Sequence, residues 1–214
     1  MARSGRQEHQ LPPGRHGLSR SFVAQNQRER ILTAVADVTS AASYPEMTVE
    51  DIIVTAGVSR RTFYEHFENK EQAFLAAYDE ASARLLAAVR AAYESRQGFA
   101  ERIGAGIEAF LFLLAADPPF ARMCIVEVMA AGPEAVARRN AVMGGFAEMI
   151  EENARELAES PPSELTAETV VGGIYDVVYT RILRGEIREL PTLAPDLVQT
   201  TLVHYLGPDA ASQL

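Results

Sequence analysis

The sequence contains very little cysteine and no long apolar run. Cys124 is the one cysteine among 214 residues, which excludes an internal disulfide and favours a reducing compartment. No apolar run reaches the ~18 residues that a membrane-spanning helix needs. The polar, arginine-rich N-terminus lacks the apolar segment of a secretory signal. We therefore expect a cytoplasmic protein that does not enter a membrane.

The residue types that usually carry catalysis or bind metals are few and scattered. The four histidines are His9, His16, His66 and His204, and no Cys/His pattern has the spacing of a metal site. No GxSxG motif, phosphate-binding loop or dinucleotide-binding fingerprint occurs. We expect no enzymatic activity, no metal and no cofactor.

Charge is distributed unevenly along the chain. The net charge is −9, but residues 1–70 carry a net +1 whereas residues 71–214 carry −10. Such an asymmetry is a hint that the first part contacts nucleic acid. A solvated acidic body would explain it equally well. Hydrophobic residues make up 48% of the chain, which is enough for a folded core.

Apolar residues recur at helical spacing, and no run alternates with the period of two that is typical of strands. We therefore expect an all-α fold. Residues 1–24 are polar and predict a flexible basic arm, whose arginines (Arg3, Arg6, Arg15 and Arg20) either contact DNA or have no role. A first helix follows, with Ile31, Val35, Val38 and Ala42 on one side, and Tyr44-Pro45 ends it.

A pair of short helices joined by a glycine turn comes next. Thr48 and Asp51 have the spacing of a capping box at the start of the second helix. Gly57 is suited to the turn, and Ser59 caps the third helix. Asn69 caps a long fourth helix that reaches about Tyr93. This order of elements is typical of a helix-turn-helix DNA-binding unit.

The third helix has an apolar side and a polar side. Phe63 and Phe67, four residues apart, predict the buried side. The exposed side carries arginine, which pairs bidentately with guanine, and tyrosine, threonine and histidine, which bond phosphates. We therefore predict that this helix reads the major groove.

The stretch from Thr48 to Lys70, TVEDIIVTAGVSRRTFYEHFENK, resembles the DNA-binding motif of the TetR (tetracycline repressor) family. The AGVS turn, the TFY triplet, the HF pair and the closing NK carry the resemblance, and QRERIL at 27–32 fits the first helix. It implies a helix-turn-helix module over residues 25–85 and a ligand-binding and dimerisation body over 86–214. It also implies a homodimer that binds a palindromic operator in double-stranded DNA, and a repressor that a small-molecule effector releases.

The resemblance also implies roles for individual residues. Arg60 and Arg61 match positions that read bases. The positions that contact phosphate, or begin the reading helix, are Thr48, Ser59, Thr62, Tyr64, His66 and Lys70. Glu65 matches another reading position, where it either accepts a hydrogen bond from cytosine or pairs with Arg61 at i, i+4, and we favour the pairing.

The body is predicted to contain five further helices, and the family usually encloses an apolar ligand cavity there. Residues with large apolar or aromatic side chains at helical spacing are either core or cavity wall: Phe110, Leu113, Met123, Met129, Phe146, Met149, Tyr175 and Tyr179. Glu127 lies among apolar residues and needs a partner. It either orients a ligand or forms a structural salt bridge, which we favour.

The last two helices form the dimer interface in the family. The interface candidates, with packing inside the chain as the alternative, are Val170, Ile174, Val177, Leu197, Thr201 and Leu202. Gly172-Gly173 lowers helix stability, and tight helix packing is one reason for it.

Two other functions stay open. A DNA-binding protein of the same fold without an effector would show no ligand-dependent thermal shift. A helical enzyme or binding module without a DNA function would show no salt-dependent duplex binding.

Overall fold

The computed structural model describes residues 19–154 and 163–207. Within these ranges the chain forms nine α-helices, two short 3-10 turns and no strand, which confirms the all-α prediction. The helices are α1 (Arg20–Ala42), α2 (Val49–Ala56), α3 (Arg60–His66), α4 (Lys70–Glu94), α5 (Phe99–Ala116), α6 (Pro118–Ile125), α7 (Pro133–Ala154), α8 (Glu164–Leu183) and α9 (Ala194–Leu206). The two turns are Glu127–Met129 and Leu190–Leu193.

The first helix begins earlier than its polarity indicates. Residues 20–24, assigned to the arm, form the start of α1, because the Ser19 hydroxyl accepts the Phe22 N–H at 3.2 Å and caps the helix. Arg20 is therefore helical. The rest of the predicted arm, with Arg3, Arg6 and Arg15, lies outside the described residues.

The helix-turn-helix unit has the caps that the sequence predicts. Thr48 and Asp51 form a reciprocal capping box at the start of α2. Gly57 ends α2 with φ of 62°, a left-handed conformation that a side chain would strain. Ser59 and Asn69 cap α3 and α4 through their side-chain oxygens. These local bonds set the angle at which α3 leaves α2.

Two apolar cores meet along α4. The first contains the buried sides of α1 to α3 and the start of α4 as far as Ala81, and the second takes over at Leu85. Met123, Cys124 and Val128 also belong to the first core. The α6 segment therefore packs beneath the DNA-binding head. The domain boundary at residue 85 remains a prediction.

Helix α5 runs through the second core, where Ile103, Leu111 and Leu114 are buried. Among the described residues, no single helix is long and apolar enough to cross a membrane. The pair Phe99–Ala116 and Pro118–Met129 reaches the required length and hydropathy only when the two are taken together, with a bend of 112° between them.

Candidate functional site

Helix α3 presents its polar side to solvent because its apolar side is anchored in the head. Phe63 and Phe67 are buried in the first core, as predicted. The Ser59 hydroxyl accepts the Thr62 N–H at 3.0 Å and lies 2.9 Å from the Thr62 hydroxyl. The start of the helix is therefore fixed, and the side chains that follow project outward.

The two arginines of α3 are exposed and each meets a carboxylate. The Arg61 side chain is 89% exposed, and its Nε lies 2.9 Å from Glu65 Oε1, the pairing favoured from the sequence. Arg60 Nη2 lies 2.5 Å from Glu50 Oε2 on α2. Exposed ion pairs contribute little free energy. Both guanidinium groups can therefore leave these carboxylates for DNA at small cost.

The aromatic and hydroxyl groups of the predicted surface lie on both sides of these arginines. The Tyr64 ring is exposed and packs edge-on against Phe63, with ring centroids 5.4 Å apart. His66 is half-buried beside Phe67. Thr48 is exposed, but its hydroxyl donates to Asp51 Oδ2 at 2.6 Å, and this bond lowers the pKa of Asp51.

Lys70 is turned away from solvent, in contrast to its expected phosphate contact. Its Nζ donates to the carbonyls of Tyr44, Pro45 and Met47 at 3.2, 3.2 and 2.9 Å. It also lies 4.9 Å from the centre of the Tyr44 ring. The structure therefore gives Lys70 the role of holding the α1–α2 loop, because three backbone acceptors satisfy its three donors.

An elongated apolar cavity lies in the body beneath the head. The space between its lining atoms, its mouth included, is about 850 Å³. Tyr78, Ser82, Leu85, Val89 and Tyr93 line it from α4. These residues follow one helix side over fifteen positions, so the cavity extends about 22 Å along α4. Residues of α5, α6, α7, α8 and α9 complete the wall.

Four of the nine residues predicted to bind a ligand line this cavity: Phe110, Phe146, Met149 and Tyr175. The Phe110 and Phe146 rings pack edge-to-face with centroids 5.9 Å apart, joining α5 to α7. Tyr175 contributes a ring and a hydroxyl from α8. Helical spacing marked these residues as core or cavity wall, and the family resemblance implied the cavity; their role in binding a ligand remains a prediction.

Five of the nine do not line this cavity, so the structure gives no support to the cavity-wall alternative for them. Met123 packs in the first core, and Leu113 packs partly buried against the second. Met129, the last residue of the first 3-10 turn, is 47% exposed. Tyr179 stacks on Tyr175 outside the lining. Periodicity marks an apolar side but does not show which neighbour covers it.

Glu127 is the fifth, and it serves as a structural anchor. It is buried, its Oε1 lies 3.2 Å from Arg122 Nε, and its Oε2 accepts the Tyr44 N–H at 2.8 Å. These contacts support the salt-bridge interpretation that the sequence favoured. The alternative role of orienting a ligand is not supported, because Glu127 is not part of the cavity lining.

Sequence reasoning missed Arg139, an arginine in the cavity lining. Its guanidinium lies 3.9 Å from the centre of the Tyr175 ring. Its position, four residues before Met143 and seven before Phe146, places it on the lining stripe of α7. Extending that stripe toward the start of α7 would have found it.

Several polar groups of the cavity lie near the end of α6. The Tyr175 hydroxyl donates to the Ile125 carbonyl at 2.5 Å, at the end of α6. Burial raises the pKa of Tyr175, Tyr78 and Cys124, so these groups stay neutral at physiological pH. Cys124 is buried and also lines the cavity.

The predicted dimer-interface residues are mostly covered by their own chain. Thr201 is 1% and Leu202 2% exposed, and Val170 is also buried, so these three expectations are wrong. Ile174 lines the cavity, and Leu197 is half-buried against the second core. Of the six, only Val177, at 37% exposure, keeps a largely free surface.

The double glycine of α8 packs closely against no other described helix. A Cβ added at Gly172 or Gly173 would meet no atom within 4 Å among the described residues. Tight packing against one of the other described helices is therefore not the reason for it. Within the same described ranges, no cluster of three histidine, cysteine or acidic residues could hold a metal ion.

Comparison with known families identifies the head. Residues 31–77 match the model of the bacterial regulatory proteins of the tetR family. The matched stretch begins in α1 and ends in α4, so it contains α2, α3 and the turn between them.

Two curated regulators are related in sequence. The HTH-type transcriptional activator FasR of Mycolicibacterium smegmatis is 24% identical over 127 residues, 59% of this chain and 58% of that protein. The match therefore spans less than two thirds of FasR. The fatty acid metabolism regulator protein of Bacillus subtilis is 20% identical over 176 residues, 79% of this chain and 91% of that protein.

Solved structures share the fold over most of their length. The fatty acid degradation regulator FadR from Bacillus halodurans matches with a TM-score of 0.75 at 21% identity, covering 82% of this chain and 94% of that one. FadR from Bacillus subtilis in complex with stearoyl-CoA gives 0.73 at 19% identity, covering 84% and 98%. SmeT, the repressor of the Stenotrophomonas maltophilia efflux pump SmeDEF, gives 0.68 at 20% identity, covering 85% and 91%.

Proposed function

The chain belongs to the TetR family of bacterial transcriptional regulators, and we propose that a long-chain acyl ligand in its cavity controls binding of its homodimer to a palindromic operator. The observation that carries this proposal is the cavity itself, which is apolar, elongated and adjacent to the core of the DNA-binding head. The proposed site of action is the cytoplasm, where the DNA lies.

The DNA-binding part of the proposal is supported by the exposed side of α3. Arg60, Arg61 and Tyr64 are exposed on this side, which supports base reading by the two arginines and a phosphate contact by the tyrosine. Two copies of α3 in a dimer would enter successive major grooves about 34–36 Å apart. Such a protein binds two half-sites related by a two-fold axis.

The dimer part is supported by an exposed side of α8. Leu165, Thr169, Gly173 and Val177 follow one another at intervals of four residues and are exposed. The absence of any neighbour near a Cβ at Gly173 leaves room for a second backbone to approach closely. We therefore place the interface on this side of α8, with the exposed side of α9 around Val203 beside it.

The acyl part is supported by shape and by the relatives. A cavity about 22 Å long with apolar walls along α4 suits an extended hydrocarbon chain. The two FadR structures and the Bacillus subtilis relative are named for fatty acid metabolism, and one of them contains stearoyl-CoA. Each methylene of such a chain that is buried makes the free energy of binding more favourable.

The control part of the proposal rests on α6, which lies between the cavity and the DNA-binding head. Ile125 at its end bonds the cavity residue Tyr175, and Glu127 two residues later bonds Tyr44 in the head. A ligand shifts DNA affinity only by its different affinity for the two states of the dimer. We propose that the filled cavity favours the state with lower DNA affinity, as in a repressor.

The proposal is tested with an operator selected from a random duplex pool at moderate salt. Fluorescence anisotropy of the labelled operator then measures affinity with and without palmitoyl-CoA. A palindromic consensus and a weaker complex in the presence of palmitoyl-CoA would support the proposal. No enrichment by folded protein free of ligand would contradict DNA binding, and an unchanged affinity at saturating palmitoyl-CoA would contradict acyl control.

A further inference from the structure

Among the described residues that line the cavity, Arg139 is the one with a charged side chain, and the others are apolar or neutral. Arg139 on α7 lies over the Tyr175 ring, and its Nη1 donates to Asn140 Oδ1 at 2.9 Å on the exposed side of the helix. Its Nε is buried and meets no acceptor among the described residues. No carboxylate in the described part of the chain pairs with this guanidinium.

A buried donor on a cationic group is costly to leave without an acceptor. The neighbouring arginine shows the ordinary arrangement, because Arg138 pairs with Asp79 and Glu134 on the outer side of α7. Arg139 differs from Arg138 in lining the cavity. An acceptor for its Nε would therefore come from whatever fills that cavity.

The position of Arg139 also orients the ligand. Tyr78 and Cys124 line the cavity and also belong to the first core, and Tyr175, over which Arg139 lies, bonds Ile125 next to Cys124, so these groups share the end of the cavity nearest the head. The opposite end, around Tyr93, is bounded mainly by apolar side chains of α4 and α5 such as Val89 and Ile107, together with the Tyr93 ring and its hydroxyl. Within the described lining, the charged side chain therefore lies at the end nearest the head.

We infer that the cavity takes an amphipathic ligand whose acyl oxygen accepts a hydrogen bond from Arg139 Nε, with its hydrocarbon chain running along α4 toward Tyr93. The oxygen belongs to a carboxylate or to a thioester carbonyl, which present the same acceptor to the guanidinium. This inference rests on the proposed acyl ligand and adds its polarity, its direction and the residue that selects it.

This orientation gives the ligand a direct route to the head. Its oxygen lies beside Tyr175, whose hydroxyl bonds the Ile125 carbonyl at the end of α6. An acceptor that draws Arg139 changes the packing of the guanidinium on the Tyr175 ring. The polar end of the ligand, more than its hydrocarbon chain, is therefore the part whose binding affects the position of α6.

The test measures the affinity of three ligands with the same chain length by isothermal titration calorimetry: palmitate, palmitoyl-CoA and 1-hexadecanol. The wild type is expected to bind at least one acyl ligand about ten- to a hundredfold more tightly than the alcohol, as for a hydrogen bond to a charged group. Arg139→Met removes the donor and is expected to abolish that preference while leaving alcohol affinity unchanged. Arg138→Met is the matched control and is expected to alter none of the three.

The outcomes separate this inference from the proposed function. A preference for palmitate alone assigns a free acid, and a preference for palmitoyl-CoA alone assigns a thioester; either supports the inference. Equal binding of all three ligands by the wild type, or an Arg139→Met protein that keeps the preference, overturns it while acyl control survives. If the wild type binds none of the three, acyl control itself fails. The wild-type comparison decides the question even if Arg139→Met does not fold.

Discussion

The backbone N–H of Tyr44 donates to Glu127 Oε2 at 2.8 Å, a bond between residues 83 positions apart. Tyr44 lies in the loop between α1 and α2, and Glu127 follows α6. The Tyr44 ring packs edge-on against Phe74, and the Lys70 ammonium lies over it. This one carboxylate therefore ties the loop that precedes the helix-turn-helix turn to the segment that borders the cavity.

Replacing Glu127 by alanine is expected to destabilise the protein by about 1–3 kcal/mol, because a buried N–H loses its acceptor. It is also expected to weaken the effect of palmitoyl-CoA on DNA affinity, because the head loses its bond to the α6 segment. Thermal unfolding and operator anisotropy measure the two effects. Glu134→Ala, which removes an exposed i, i+4 partner of Arg138, should cost under about 1 kcal/mol. Equal stability of the two variants would contradict the anchoring role.

Arg61 and Tyr64 are expected to contribute to DNA binding in different ways. Arg61→Ala should relax base preference at one position in each half-site, at a cost of about 1–3 kcal/mol of discrimination. Tyr64→Ala should weaken binding to all sequences, because a phosphate contact carries no sequence information. Repeating the duplex selection with each variant gives both quantities. An unchanged DNA affinity in both variants would contradict the assignment of α3 as the reading helix.

A single substitution at Glu65 distinguishes between the two roles proposed for this residue. If it only pairs with Arg61, Glu65→Gln should raise affinity for all sequences, because a negative charge near phosphate is removed and Arg61 is freed. If it accepts from cytosine, the same change should lose preference at one base pair. We expect the first result, measured by anisotropy over a panel of single-base operator variants.

Lys70→Met is expected to lower stability rather than to remove a phosphate contact. The ammonium donates to three loop carbonyls, and their loss should cost about 1–2 kcal/mol of the free energy of unfolding. The dependence of DNA affinity on salt should keep its slope, because no phosphate contact disappears. If the slope of log affinity against log salt concentration fell by about one while stability stayed unchanged, Lys70 would have the phosphate contact that the family resemblance implied.

Gly106 is expected to set the length of the chain that fits. A Cβ at this residue would lie 3.4 Å from the Tyr93 ring at the end of the cavity farthest from the head. Gly106→Val should therefore shift preference from palmitoyl-CoA toward shorter acyl-CoAs, at about 0.8 kcal/mol for each methylene excluded. Gly104→Val is the control, since its Cβ would meet nothing within 4 Å. Equal chain-length profiles in both variants would place the end of the chain elsewhere.

The sequence by itself determined the helices and the reading unit. Caps such as Thr48 with Asp51, and the left-handed Gly57, depend on bonds and sterics within a few residues, so their spacing in sequence is enough to find them. The buried pair of Phe63 and Phe67 follows from helical periodicity in the same way. The motif from Thr48 to Lys70 also carried the family, because its residues occupy fixed positions on those helices.

Only the tertiary structure decided what the apolar and charged side chains of the body do. Leu202, expected at an interface, is buried in its own chain, and Met129, expected in the cavity, is exposed. Lys70, expected to contact a phosphate, bonds loop carbonyls instead. Arg139, for which the sequence predicted no role, lines the cavity. Periodicity specifies that a side of a helix is covered, but the covering partner comes from residues far away in sequence. The packing of whole helices alone determines whether that partner is core, cavity, solvent or a second copy.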